Sequence, residues 1–433
     1  MGKRQSGQYR RRIRNLTRLL FQQLFLTFEL FERNGLPNHA AAGSYCFLLS
    51  TAPVLLIISF FASRALAASP ELTALMLQNS GFLPEEFNVG ELINNFFVKT
   101  NSGIAGIFSG VTILFTARLC ALSICRGLRV VFPASRFTPF RDIVVTLGLE
   151  FLIILFLLII LLGNRLVIDF FSLSHFSFIK TLFIPILIFT EQFVFLGSLA
   201  LITLVSYRFV PAKPPKWKYI IPGTITCIVL YQAFSYGFAL LIGPDRYNLI
   251  YGALGRLFLF LVNVYFFFTF FFFGAQLIQI LCSYRERIFI KFRQLHSKNF
   301  LTHAPWDKLF ASPPEPLKKY IRSYHANEII FSKGSKGQEV YYILSGEAGV
   351  YLDENCQNRI ALIQTANFFG EIEFLQREGR ATSVKAETEL SVMKLPPKLI
   401  KAILNTDPDT NQILIKSLSG LVTSANRDSL KST

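Results

Sequence analysis

The sequence predicts an α-helical polytopic membrane bundle of six spans, followed by a soluble β jelly roll with flanking helices. Three observations predict it. Residues 257–274 read LFLFLVNVYFFFTFFFFG without one charge, and the apolar run continues through 278–281. That is enough helix to cross a hydrocarbon layer of about 30 Å at about 1.5 Å per residue, and it is apolar on every face. The 433 residues are 52% hydrophobic and only 16% charged, with 46 Phe and a mean hydropathy of +0.43; soluble domains average about 25% charged. Finally, every base-rich loop falls on one side when six crossings are assumed, as the positive-inside rule requires.

Taken in order, residues 1–38 form a basic segment carrying Lys3, Arg4, Arg10, Arg11, Arg12, Arg14, Arg18 and Arg33. This fixes the N-terminus on the cytoplasmic side. Leu16, Leu19, Leu20, Leu24, Phe28 and Phe31 recur at helical spacing, which predicts an amphipathic helix on the inner membrane surface. The membrane block covers 39–282, with spans near 40–66, 104–125, 143–162, 181–209, 219–242 and 257–281. The loop after the first span is acidic (Glu71, Glu85, Glu86, Glu91) and is placed outside. The loops holding Arg126, Arg129, Arg136 and Arg141, and then Lys213, Lys216 and Lys218, are placed inside. A basic and Pro-rich linker occupies 283–319. From 320 to 422 short alternating runs separated by Gly334, Gly337 and Gly346 predict a small barrel or jelly roll, with a helical end and a tail at 423–433.

The net charge of +17 raises nucleic acid as a partner. The positives lie in loops between spans, so the bilayer is the expected partner and nucleic acid is not. Cys46, Cys120, Cys125, Cys227, Cys282 and Cys356 show no pairing or metal spacing and read as small apolar residues in a reducing compartment. The five histidines form no ligand cluster. No catalytic residue and no metal site is assigned. The first apolar run begins near residue 40, too late and too long for a cleaved signal peptide. An oligomer is compatible with all of this.

Two charges lie inside spans. Arg118 and Glu150 sit eight and nine residues from Arg126 and Arg141, about 12–14 Å from the inner face on antiparallel neighbours. Charges at that depth demand partners, so the two are expected to pair, either as a structural ion pair or along a solute pathway. Glu191 and Arg256 are a second candidate pair. Gln232, Asn263 and Gln276 add polar groups of the kind that bond between helices.

Two resemblances follow from particular words. HAAAGSYCFLLSTAP from His39, Thr116-Ala-Arg118, Tyr207-Arg-Phe-Val-Pro211, the YNLIYGAL word from Tyr247 and Gly274-Ala-Gln276 resemble the YihY/virulence-factor BrkB family over about 15–282. The family usually has Glu where this chain has Gln276. The resemblance implies a six-span bacterial inner-membrane protein with both termini cytoplasmic. That family has carried a ribonuclease label, for which no clustered ligands or acid pair is found here.

The word FGEIEFLQREGRATSV from Phe369 resembles the phosphate cassette of cyclic-nucleotide-binding domains, over about 320–422. The resemblance implies a site of Gly370, Glu371, Ile372, Arg380, Ala381 and Thr382. Gly370 allows close backbone approach. Glu371 would accept from the ribose 2′-hydroxyl, Arg380 would clamp the cyclic phosphate, and the amides of Ala381 and Thr382 would complete the cradle. Ala381 stands where cGMP-preferring relatives tend to have Thr, which favours cAMP over cGMP. Glu373 replaces a small residue near the phosphate, and a carboxylate there repels an anionic ligand unless it turns to solvent. The alternative is a degenerate fold in which Gly370 and Arg380 serve a turn and a local ion pair.

The combined reading is an inner-membrane transporter or channel-like body regulated by a cyclic nucleotide bound to its cytoplasmic C-terminal domain. The competing readings are a membrane-anchored sensory or docking module without transport, and a membrane-bound hydrolase.

Overall fold

A computed structural model describes residues 2–49, 118–133, 143–145, 147–149, 151–152, 195–241, 244–297, 305–310, 312–376 and 379–414. Much of the expected spans near 40–66, 104–125, 143–162 and 181–209, the acidic loop, Glu150 and Glu191 lie outside the described residues. The chain divides into two compact units, Thr27–Cys282 and Met1–Leu26 with Ser283–Thr433.

In the first of these, helices 36–49, 118–131, Phe195–Phe209, Trp217–Leu241 and Pro244–Cys282 are described. With α1 (Gly2–Arg33) at the start of the chain, we label them α2 to α6. Among the described residues, two stretches, Trp217–Leu241 and Phe258–Cys282, are long and apolar enough to cross a membrane. The faces of α5 explain its composition. Ile220, Gly223, Thr224 and Cys227 are buried, while Ile221, Ile225, Val229, Tyr236 and Leu240 are exposed. Both sets recur at helical spacing, so one face packs and the other is a bare apolar stripe, which water would not favour and lipid would.

The packed face is built on glycine. A Cβ at Gly274 would lie 2.8 Å from the Gly223 carbonyl oxygen and 2.7 Å from the Tyr207 hydroxyl; one at Gly223 would lie 2.3 Å from the Ile278 side chain. Only two hydrogens at these positions let α5 and α6 approach so closely. The Tyr207 hydroxyl donates to the Phe271 carbonyl. Around this crossing lie Phe268, Phe271, Phe272 and Ala275 of α6 with Cys120, Ile124 and Leu128 of α3.

The other unit joins Met1–Leu26 to Ser283–Thr433. Helix α7 (Tyr284–Ser297) begins two residues after α6 ends in sequence. Half of its residues are buried, including Ile288, Phe289, Phe292 and Arg293. The Arg18 and Gln22 side chains of α1 both donate to the Leu309 carbonyl, at 2.8 and 2.7 Å. Phe25 lies 5.7 Å from Phe310. Burial pushes the Tyr284 hydroxyl up to about 12, so it remains a donor, here to Gln22 Oε1 at 2.9 Å.

Eight strands follow: β1 Ile321–Tyr324, β2 Ile329–Phe331, β3 Val340–Ser345, β4 Ala348–Tyr351, β5 Arg359–Ile363, β6 Phe368–Phe369, β7 Ser383–Ala386 and β8 Leu390–Leu395. They form two four-stranded sheets, β1-β8-β3-β6 and β2-β7-β4-β5, antiparallel at every pairing. Short β-branched and aromatic runs with period two suit such half-buried ribbons. The core between them is Tyr341, Ile343, Ala348, Val350, Phe369, Val384, Ala386, Leu390 and Val392. Helix α8 (Glu371–Gln376) interrupts the strands between β6 and β7, and α9 (Pro397–Thr406) closes the module. The architecture is thus a helical, apolar region followed by an antiparallel β sandwich.

Candidate functional site

The site is built where β6 gives way to α8. Gly370 has φ +77°, and a Cβ there would meet Arg380 Nη1 at 2.7 Å. A side chain is therefore excluded twice, by backbone conformation and by the guanidinium lying against it. Arg380 arrives from the other end of the cassette, just before β7. Its amide donates to the Ser335 carbonyl at 3.1 Å, and its carbonyl accepts from the Gly334 amide at 2.7 Å. The turn carrying Gly334 (φ +79°) thereby fixes the arginine backbone.

Arg380 as a residue is 3% exposed. Nη1 donates to the Gly370 carbonyl at 3.1 Å and to Glu373 Oε2 at 3.0 Å; Nη2 donates to the Glu339 carbonyl at 2.9 Å. The guanidinium carbon lies 4.0 Å from the Phe331 ring centroid. A buried guanidinium is tolerable only with such matched acceptors and a counter-charge. Glu339 contributes a second carboxylate. Burial works to raise its pKa, but the Lys394 ammonium at 3.1 Å, together with Arg380, holds it below the usual value.

Of the residues assigned to the site, Gly370, Arg380 and Ala381 come together. The group between them is Glu373, which does not turn to solvent. It is 2% exposed, and its Oε1 accepts the Ala381 amide at 3.1 Å. Glu371 is buried in the first turn of α8. Ile372 and Thr382 are half-buried. Sequence reasoning missed Glu339. A carboxylate one residue before β3 gave no signal, because its role depends on strand pairing that brings Lys394 alongside.

The second set of candidates is less complete. Arg118 opens α3 and is exposed, while its expected partner Glu150 lies outside the described residues. Glu191 also lies outside them, and Arg256 falls in the part of α6 whose side chains are not described. Gln276 has a partner the sequence did not reveal. It is 1% exposed, and its Oε1 accepts from Asn34 Nδ2 at 3.1 Å. Asn34 sits in the turn after α1, 242 residues away in sequence, so no local pattern could join them.

The two sheets and the cassette define a cyclic-nucleotide-binding module attached to a region of apolar helices. The chain belongs to the virulence factor BrkB family, whose model matches residues 27–291, and a cyclic nucleotide-binding domain model matches residues 321–407. A cAMP-dependent protein kinase regulatory subunit of Blumeria graminis is 35% identical over 88 residues, covering 18% of this chain and 22% of that protein. The corresponding subunit of Emericella nidulans is 33% identical over 81 residues, 19% of each chain. The chain therefore spans about a fifth of the length of the curated relatives it matches. Among solved structures, cAMP-bound PfPKA-R shares 20% identity with a TM-score of 0.25, covering 34% of this chain and 48% of that one. The two family descriptions name no enzyme. Family membership and two apolar helices point to membrane association, and the β module to a cyclic nucleotide as ligand.

Proposed function

We propose that this is an inner-membrane protein of six spans with both termini in the cytoplasm, in which cyclic-nucleotide binding to the C-terminal module biases a transporter or channel-like body. The observation that carries the reading is Arg380, buried against Gly370 at the end of a β sandwich, in a chain whose remainder belongs to a membrane family. A guanidinium and adjoining backbone amide form a seat for a cyclic phosphate. Glu371 accepts from the ribose hydroxyl, and Ile372, Ala381 and Thr382 complete the wall. Ala381 favours cAMP over cGMP.

For regulation, the ligand must bind two states unequally. The segment 283–319 carries the shift to the spans, and Arg118 and Glu150 line the polar path for a solute or lipid. The test is calorimetry of the full-length chain in lipid nanodiscs with cAMP and cGMP, repeated on Arg380→Ala. Heat with cAMP that disappears in the variant supports the reading; equal heat in both refutes it. The full chain is required because α1 packs into the same unit as the sandwich.

A docking platform without transport is the second reading. It is favoured by one observation: the Arg380 charge is already matched by Glu373. Vesicle uptake assays of the purified protein separate the two.

A further inference from the structure

Glu373 lies in the first turn of α8 and is 2% exposed. A carboxylate removed from water so completely must be paired on both oxygens. It is: Oε2 accepts from Arg380 Nη1 at 3.0 Å and Oε1 from the Ala381 amide at 3.1 Å. Those are two of the three donors, with the Thr382 amide, that the cyclic-nucleotide reading assigns to the phosphate. Two carboxylate oxygens bridging a guanidinium and a backbone amide repeat the pattern of two phosphate oxygens on the same pair.

The geometry points to Glu373 as an internal occupant of the phosphate seat, and as the residue that sets what the pocket admits: an anionic ligand enters only by displacing this carboxylate from Arg380 and Ala381. This deepens, and rests on, the reading of residues 370–382 as a cyclic-nucleotide cassette.

Charge decides between displacement and co-binding. The side chains of Arg380 and Glu373 are each 2% exposed, so solvent does little to screen them. Glu339 Oε2 lies a further 3.9 Å from Arg380 Nη2. Arg380 and Lys394 are already balanced by Glu373 and Glu339, so an incoming phosphate meets no net positive charge. A third anion is admitted only as a second leaves. Glu373 lies in the first turn of α8, a helix of six residues, so its departure takes a rotation of its side chain or a shift of that helix. Occupancy is then a conformational event, and the site discriminates against free phosphate and other small anions that bring no base or ribose contacts to offset the exchange.

The test is cAMP titration of the full-length chain in nanodiscs, comparing the natural sequence with Glu373→Ala, Glu373→Gln and Arg380→Ala. Glu373→Ala is expected to bind cAMP about tenfold to a hundredfold more tightly, the factor one charge-assisted hydrogen bond is worth. Glu373→Gln, which keeps an acceptor but loses the charge, should fall between. Thermal unfolding supplies a second measure. Glu373→Ala leaves Arg380 buried without its nearer counter-charge, so it should melt lower, and cAMP or inorganic phosphate should raise its Tm more than that of the natural protein. Equal cAMP affinity with and without Glu373, abolished by Arg380→Ala, overturns the inference and leaves the nucleotide reading standing. No binding by any of the Glu373 variants overturns both. If Glu373→Ala does not fold, the comparison with Glu373→Gln decides on the same terms.

Discussion

Tyr341 and Tyr342 are neighbours on β3 and serve opposite faces of the sheet. Tyr341 stacks on Phe369 at 4.9 Å and 6°, and its centroid lies 5.8 Å from the Arg380 guanidinium carbon. Tyr342 pairs with Phe368 at 5.0 Å, meets Phe289 of α7 at 5.6 Å, and places its hydroxyl 3.0 Å from His296 Nδ1. The register Tyr341↔Phe369 and Tyr342↔Phe368 makes this a consequence of strand alternation. One strand therefore reaches Arg380 with one residue and α7, the helix that follows α6, with the next.

Tyr342→Phe keeps the ring packing and removes only the hydroxyl. Loss of its bond to His296 should cost about 1 kcal/mol of stability. Nucleotide affinity should be unchanged, because Tyr341 and the seat are untouched. Limited proteolysis of the linker 283–319 gives the decisive readout. A cAMP-dependent change in cleavage of the natural protein should shrink in the variant. An undiminished change means the signal takes another route.

His296 makes the same joint sensitive to acid. Its Nε2 lies 3.1 Å from the Leu344 carbonyl, which can only accept, so Nε2 carries the proton and Nδ1 accepts from the Tyr342 hydroxyl. Burial lowers the imidazole pKa below its ordinary 6.5, against an opposing contribution from the Leu344 bond. The unfolded chain thus takes up this proton first as pH falls. The contribution of neutral His296 is complete above the ordinary value, declines as pH drops below it, and levels off once the folded pKa is passed. Melting curves measured across that window should show a positive slope of Tm with pH that is reduced in His296→Gln. An identical slope in the variant would assign the acid sensitivity to other groups.

Arg293 and Asp407 form the joint between α7 and the residue after α9. Their side chains are 5% and 9% exposed and meet at 3.0 Å, and the Asp407 carboxylate also accepts the Thr410 amide at 3.2 Å. Removing one partner strands a buried charge, so Asp407→Ala or Arg293→Ala should destabilise the C-terminal unit by about 3–5 kcal/mol. Arg293→Met with Asp407→Leu should recover much of that loss. Denaturant unfolding of the three variants checks it; a double variant as unstable as the worse single one would show that the pair specifies more than charge balance.

How much of this was legible can be judged residue by residue. That Gly370 and Arg380 meet was readable because the segment is local: ten residues separate them, and the structure sets the Arg380 guanidinium on the Gly370 carbonyl, at a glycine with φ +77°. The sandwich was readable from period-two runs between glycine turns. Glu373 was visible as a departure, but its destination was not, since repulsion of a ligand and occupation of the ligand's seat begin from the same letter. Glu339, Asn34 and Asp407 were opaque. Each acquires its partner across tens to hundreds of residues, through strand pairing or helix packing that periodicity does not encode. A helix does span Gly2–Arg33, with Leu20, Leu24 and Phe28 exposed and Phe31 buried, and the anchoring of Arg18 and Gln22 to Leu309 had no local sign.

Gly274 offers the sharpest test of the apolar region. It lies where α5 and α6 cross, facing the Gly223 carbonyl and the Tyr207 hydroxyl. A methyl group at Gly274 would sit 2.7–2.8 Å from both oxygens, well inside van der Waals contact. Neither neighbour can retreat cheaply: the Gly223 carbonyl is helix backbone, and the Tyr207 hydroxyl is bonded to the Phe271 carbonyl. Gly274→Ala must therefore separate the helices or break that bond, and overpacking of this kind costs about 1–3 kcal/mol. The expected result is lower yield and a lower melting temperature of the detergent-purified full chain. Tyr207→Phe, which removes one of the two obstructing oxygens, should partly relieve the defect when combined with it. If Gly274→Ala folds and melts like the natural protein, the close crossing is not what holds these two helices together.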